Sequence, residues 1–579
     1  MITEKRALLF AMVLAIVPAS AAYGQAMADL APPNQPIGRV LDWTQHHLIF
    51  TETYSPRVAV AAQSEMRVMM WMMERSQNHS AYEARRASYA PAAFGSDFLE
   101  LPRRARVGQP RNRSGAHIDW SVSLGNGNVP GNMYPAKYAF DINATPSCAN
   151  DFIVYGLNTA GVTGGQANLV ALNYLYSGTT PANGICNNQA TPSNGTSAAV
   201  MWAYNIGAGK ILTSPTLSMN GTKVAFVESG TASSVFHVLT WQSNQVNAGN
   251  GAIAKAAVPG TANGASMKSL TFDASASDTL SSPYIDYTND VAYVGTDGGK
   301  LYKITGVFNG TPALAGSPWP VTVSSGLKLT APVLDVVSGR IFIGDSNGAL
   351  KAVNAATGAI AATLQVGASG AQGSAIVDPP IVDSSNGVVY AFSANDGTGA
   401  VAVEANTNLT QLARARVGLG DVGASAANVV NLHSGTLTDA YFTNPSTGVM
   451  VVCGTNTADS TPSLWVFGFS GTTLNTTAQI SNYEFLGSAP GTECSPLTVF
   501  NNPAIGTDTL YFSVPKNCGG GGCVESYQIT GLIKSVAENG GTSGIIIDNV
   551  STSAQASSIY FTTLGATKNA VKLTQAALQ

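Results

Sequence analysis

The feature that most restricts what this chain can fold into is a repeat. The run Ser282-Pro283-Tyr284-Ile285-Asp286, Val291-Ala292-Tyr293-Val294-Gly295, Asp297-Gly298-Gly299 and Lys300-Leu301-Tyr302-Lys303-Ile304 is followed by a second copy with the same layout. That copy reads Ala331-Pro332-Val333-Leu334-Asp335, Arg340-Ile341-Phe342-Ile343-Gly344, Asp345-Ser346-Asn347-Gly348 and Ala349-Leu350-Lys351-Ala352-Val353. A third copy has Pro379-Pro380-Ile381-Val382-Asp383, Val388-Val389-Tyr390-Ala391-Phe392 and Ala400-Val401-Ala402-Val403. Pro283, Pro332 and Pro380 lie 49 and 48 residues apart. A strand-rich unit of about 40–50 residues is the signature of a propeller blade, which cannot bury its apolar faces alone and must stack on its neighbours.

Looser copies begin near Pro135, Ser214-Pro215, Gly435, Ser495-Pro496 and Ser543-Gly544, which makes eight candidate units. Between units lies a further strand of the type Trp202-Ala203-Tyr204-Asn205-Ile206-Gly207 or Trp319-Pro320-Val321-Thr322-Val323. The last unit offers only three strands, ending at Ala570-Val571-Lys572-Leu573, while an orphan, His117 to Gly125, precedes the first. Joined, they complete a blade across the termini and remove the open sheet edge that an unclosed ring would present. The expectation is an all-β, eight-bladed β-propeller, with seven as the alternative, of four-stranded antiparallel blades over 116–579. The N-terminal strand closes the ring, and a partly helical segment precedes it.

The first residues form a different region. Lys5-Arg6, the apolar Ala7 to Pro18 and the small residues around Ala19-Ser20-Ala21 and Gly24-Gln25-Ala26 have the layout of a removable secretory signal over 1–26. The apolar stretch is shorter than the roughly 18 residues a spanning helix needs. Residues 27–115 contain 11 Arg and 8 acidic residues, whereas 116–579 contain 16 basic and 24 acidic ones. A mildly basic segment thus precedes an acidic body, and docking of one on the other is the simple reading. Within it, Ser55-Pro56 marks a helix start. Met66, Met69, Met70 and Met73 then recur at helical spacing, as a stripe buried on the main domain or an adaptable partner surface. Arg103-Arg104-Ala105-Arg106 and Arg111-Asn112-Arg113 read as a linker.

Six cysteines in an exported chain predict structural disulfides. Their spacing pairs neighbours in order: Cys148 with Cys186, Cys453 with Cys494, and Cys518 with Cys523 around four glycines. The localisation implied is periplasmic or extracellular. A net charge of −4 and a charged fraction of 11% provide no basic field for nucleic acid.

The run from Ser282 to Gly306 resembles the repeat of PQQ-like (quinoprotein-type) β-propellers, well over 280–408 and loosely over the rest of 116–579. The segment Phe140 to Cys148 is similar to exported bacterial propellers of acidobacterial type. The resemblance implies the fold and export. It includes quinone-dependent dehydrogenases, which use a disulfide between adjacent Cys, a bound calcium and an Asp base. No adjacent Cys pair exists in this sequence, so no catalytic residue carries over, and PQQ belongs only to the alternative reading.

Local chemistry points the same way. Asp286, Asp335 and Asp383 recur three residues after the blade proline, where an aspartate bonds its own turn. Asp345-Ser346-Asn347-Gly348 lacks the later ligands of a calcium loop and reads as a hairpin turn. Tyr284, Tyr293, Tyr302 and Trp319 read as packing between blades. His117, His237 and His433 each stand alone in the sequence, and no GxSxG, HExxH, GxxxxGK[ST] or GxGxxG is present. No catalytic or metal residues and no cofactor are predicted. The expected role is a non-enzymatic binding or interaction scaffold, taking protein or polysaccharide at the loops of one propeller face, with 156–200 and 241–280 as long loop insertions. A quinone-type oxidoreductase and a structural surface protein are the alternatives.

Overall fold

The computed structural model describes residues 39–51, 117–140, 146–178, 184–187, 197–243, 253–260, 265–419, 430–458, 461–484, 491–502, 507–516, 521–528, 531–549 and 557–574. The sheet order resolves them into eight antiparallel blades. Blade 1 runs Ala136–Ala139, Phe152–Gly156, Leu169–Asn173 and Ala199–Tyr204, and blade 2 runs Thr216–Leu217, Lys223–Ser229, Ser234–Thr240 and Ser266–Asp273. The inner strands of blades 3 to 7 are Tyr284–Asp286, Val333–Asp335, Ile381–Asp383, Thr436–Leu437 and Thr498–Asn502. In blade 3 the outer position is shared by Ala313–Leu314 and Val321–Thr322, both paired with Lys300–Thr305.

Burial follows position in the blade. In blade 4, Arg340–Gly344 is buried through its apolar run, whereas the outer strand Ile360–Gln365 is largely exposed. Continuous apolar runs therefore mark strands covered on both faces, and alternation marks the rim.

Neighbouring blades are tied by side chains as well as by apolar packing. The Tyr284 hydroxyl donates to the Leu334 carbonyl (3.2 Å), Ser384 Oγ to Asp335 (2.7 Å), Tyr441 OH to Asp383 (2.8 Å) and Thr498 Oγ1 to the Ile545 carbonyl (2.9 Å). Phe272 of blade 2 meets Tyr302 of blade 3 edge-on at 5.2 Å.

The ring closes as the strand count requires. His117–Ser123 pairs antiparallel with Asn569–Thr574 and supplies the fourth strand of blade 8, outside Ser557–Thr562 and Ile546–Asn549. At this seam Lys137 of blade 1 and Asp548 of blade 8, both fully buried, pair at 2.9 Å. Lys137 Nζ also donates to the Tyr176 hydroxyl (3.2 Å), which donates to Asp151 (2.5 Å). Lys572 pairs with Asp119 of the closing strand at 3.3 Å, and burial holds its ammonium down to about 8.

Two disulfides staple the loops. Cys148–Cys186 joins the turn before Phe152–Gly156 to the region after Leu169–Asn173. Cys453–Cys494 joins the second strand of blade 6 to the connection leading into blade 7. Cys518 of the third expected pair lies outside the described residues, as do the signal region, the methionine stripe and the arginine-rich linker. The expected loop insertions are corrected in part: 156–200 contains the strand Leu169–Asn173 and the start of Ala199–Tyr204, and 241–280 contains Ser266–Asp273. Gly- and Asn-rich stretches surround these strands and obscure the pattern, and pairing with Phe152–Gly156 and Ser234–Thr240 defines them.

Candidate functional site

The eight inner strands surround a channel, and the chain's own N-terminal residues lie in it. Arg39–Leu41 pairs antiparallel with the inner strand of blade 1, and Leu48–Ile49 pairs parallel with the inner strand of blade 5. Blades 1 and 5 stand opposite each other in an eight-membered ring, so residues 42–47 cross the channel. They do so through a 3-10 turn, Trp43–His46.

Sequence explains the placement. Val40, Leu41, Trp43, Ile49 and Phe50 are all buried, and such side chains contribute about 1.5–3 kcal/mol each before ordering costs. The backbone is satisfied by bonds from Val382 N to the His47 carbonyl (2.7 Å) and from Ser384 N to the Ile49 carbonyl (3.0 Å). Thr51 N donates to Ser385 Oγ at 2.9 Å. Strand pairing and the burial of these apolar side chains dock the segment, while the other arginines of 27–115 lie outside the described residues.

The crossing brings titratable groups together. The His46 ring stacks on Tyr134 at 5.4 Å, and Trp43 and His47 lie 5.6 Å apart. His47 is buried, bonds the Pro379 carbonyl, and has no partner at Nδ1; burial holds it down to about 3. Beside it, both oxygens of Asp378 lie 3.0 Å from His433 Nδ1, and Asp378 Oδ2 accepts from Ser434 N at 2.8 Å. Burial alone would lower His433, but the Asp378 carboxylate outweighs it and raises the imidazole to about 9. Asp378 is held below the usual carboxylate range, since His433, Ser434 N and His47 together outweigh its burial. Trp43, His47, Asn132, Met133, Tyr134 and Asp378 help line a space beside the crossing that admits about 10 Å³, roughly one water.

The other sequence candidates are placed as follows. Asp286 accepts from Asn289 N (3.0 Å), Asp335 from Val337 N and Ser338 N (3.0 and 3.1 Å), and Asp383 from Ser385 N and Asn386 N (3.0 and 3.1 Å). These aspartates form turns, not a ring of ligands. Asp345 bonds the backbone of Asn347 and Ala349 (both 2.9 Å), with Gly348 at φ +78°, so the segment is a hairpin. Tyr284, Tyr293, Tyr302 and Trp319 are buried, and Tyr293 packs on Trp319 at 5.7 Å.

The isolation of the histidines is corrected. His433 finds Asp378 across 55 residues, and His237 bridges Ser269 (2.8 Å) and Glu228 (2.9 Å) on blade 2. Sequence spacing does not carry these pairings because they arise between blades or between adjacent strands. His46 and His47 were missed for another reason: the surrounding residues carry no strand period, and only the apolar Val40-Leu41, Trp43 and Leu48-Ile49-Phe50 signalled burial. Among the described residues no group of three or more His, Cys, Asp and Glu is arranged to hold a metal ion.

No protein-family model matches the sequence, and no curated protein matches it. Among solved structures the chain is similar to BamB from Moraxella catarrhalis, at 12% identity over 80% of this chain and 98% of that one, with a TM-score of 0.42. It is similar to the computationally designed Ika8 protein at 10% identity over 79% and 99%, TM-score 0.45. Chaetomium thermophilum Sqt1, bound in its structure to the N-terminus of ribosomal protein L10, matches at 12% identity over 73% and 93%, TM-score 0.43. The blade architecture described above stands on the strand pairing of this chain itself.

Proposed function

We propose that the protein is an exported, non-enzymatic binding scaffold that meets a protein or polysaccharide through the loops of one propeller face. The observation that carries this reading is the filled channel. Cofactors and small substrates favour concave, largely apolar sites of about 300–1,000 Å³, and here residues 39–51 cross between blades 1 and 5, with a space beside Trp43, His47 and Asp378 that admits about 10 Å³, roughly one water. The outer surface and face loops are then where recognition falls. That BamB and Sqt1 have similar folds adds no argument about the partner. Export is supported by the signal-like N-terminus and the two disulfides, which persist in oxidising compartments. Among the described residues no helix is long and apolar enough to cross a membrane. Kinship with PQQ-like propellers rests on the repeat from Ser282 to Gly306.

The test is binding of the folded protein to fractionated exported proteins and to cell-surface polysaccharides, with substitutions in the loops of each face. Saturable binding that is abolished by changes on one face and survives changes on the blade rims is expected. A tightly held quinone-like chromophore in the native protein, with turnover of an electron-acceptor dye, would contradict the proposal.

A further inference from the structure

We propose that residues 39–51 are an acid-releasable plug: proton uptake by His46 and His47 loosens the segment from blades 1 and 5 and opens the channel mouth. This goes beyond the binding role above and rests on the geometry of the crossing.

The segment is held at its ends by short ladders, three residues on blade 1 and two on blade 5, and between them it places two adjacent imidazoles in the channel. His47 is the more constrained. Its hydrogen bond to Pro379 leaves Nδ1 buried with no protein partner, so a second proton would create a buried N–H⁺ that no protein group accepts in this arrangement. His46 is next to it and stacked on Tyr134, and a charge on either ring opposes a charge on the other.

The surrounding groups do not cancel this. On the plug itself, Arg39 and Asp42 are buried at the blade 1 end. From blade 1, Tyr134 faces His46, and burial together with Asp378 raises its phenol, which stays neutral. From blade 5, Asp378 attracts a proton on His47, but that carboxylate is already engaged by His433 and Ser434 N from the approach to blade 6. Glu493 adds to the field that keeps His433 charged. With His433 raised and Asp378 lowered, this ion pair holds both charges as pH falls from neutrality toward about 4.5 and does not titrate with the plug.

The sign follows. Burial lowers both plug histidines from 6.5, the fully buried His47 further than the half-buried His46. The bound segment stays neutral in the range where a released one takes up protons. The plugged form is therefore fully favoured above the released value of about 6.5 and loses up to about tenfold in its bound-to-released ratio per pH unit per histidine below it.

Amide hydrogen exchange on the full mature chain, expressed as protection relative to the intrinsic rate at each pH, reads this directly. Between about pH 7 and about pH 5, protection at Arg39–Leu41, Leu48–Ile49, Val382 and Ser384 is expected to fall by about tenfold or more. Protection in Val388–Ser393 of the same blade should hold. The H46Q/H47Q variant should remove the pH dependence, and H47Q alone, the milder change, should reduce its slope. Protection at the two ladders that is the same at both pH values, or that falls only together with Val388–Ser393, would overturn the proposal. Rapid exchange already at pH 7 would instead overturn the filled channel itself.

Discussion

Asp548 takes the third paired position of an inner strand, the place where Asp286, Asp335 and Asp383 form turns, yet it pairs with Lys137 of the neighbouring blade. Both side chains are fully buried, so their attraction is offset by the loss of hydration, while removing only one leaves an uncompensated charge. Lys137→Met is expected to lower stability by about 3–5 kcal/mol, and the double change Lys137→Met with Asp548→Leu to recover most of that loss, read as shifts in urea midpoint. Glu404 is a second buried acid. Its Oε2 accepts from Leu474 N at 2.5 Å, Oε1 has no partner, and burial pushes the carboxyl up to about 7. Because its folded value is raised, the stability it contributes is complete below about 4.5 and is lost as pH rises through about 7. The midpoint of the native protein minus that of Glu404→Gln should therefore decline as pH rises across that window, whatever the other titrating groups do to both proteins; a difference independent of pH would refute the assignment. The turn aspartates were legible in the sequence because their partners are two or three residues away. Lys137–Asp548 and His433–Asp378 were not, because nothing local marks a partner on another blade.

Strands carry the next level. Second strands such as Val291–Gly295 and Val388–Ser393 were legible as continuous apolar runs because neighbouring blades cover both of their faces. Leu169–Asn173 and Ser266–Asp273 were hidden in Gly- and Thr-rich surroundings, and Arg39–Leu41 and Leu48–Ile49 are too short to show a period. The strand His117–Ser123 was found by asking which blade lacked a partner. Its loss would expose the edge of Asn569–Thr574 to pairing with another chain. Deleting 117–123 is thus expected to shift the protein to larger oligomers or aggregates on size-exclusion chromatography with light scattering; an unchanged mass and stability would contradict the closure. Each observed disulfide closes a loop of 38 or 41 residues of separation. Chain-entropy reasoning assigns such a loop up to about 4 kcal/mol, so the Cys148→Ser/Cys186→Ser pair should lower the unfolding midpoint under non-reducing conditions. Non-reducing peptide mapping should also recover Cys518 linked to Cys523, and a free thiol at either position would remove that pairing.

At the scale of the molecule, the repeat period and the strand missing from the last unit were enough to infer an eight-membered closed ring. The centre of that ring was not legible, because the residues that fill it precede the first blade and belong to a stretch whose arginine excess suggested surface docking. Blade 1 and blade 5 are joined across the channel by residues 39–51, and this one arrangement underlies both the surface-recognition reading and the acid-releasable plug. The most direct test is amide hydrogen exchange of the folded protein at about pH 7, resolved to short peptides, where the logarithm of a ladder bond's protection is proportional to its opening free energy. The account predicts that Arg39–Leu41 and Leu48–Ile49 exchange slowly, with the strands Ala136–Ala139 and Ile381–Asp383 that they pair with. Exchange of 39–51 at the rate of an unstructured chain, with slow exchange retained in the blades, would show an open channel and contradict it.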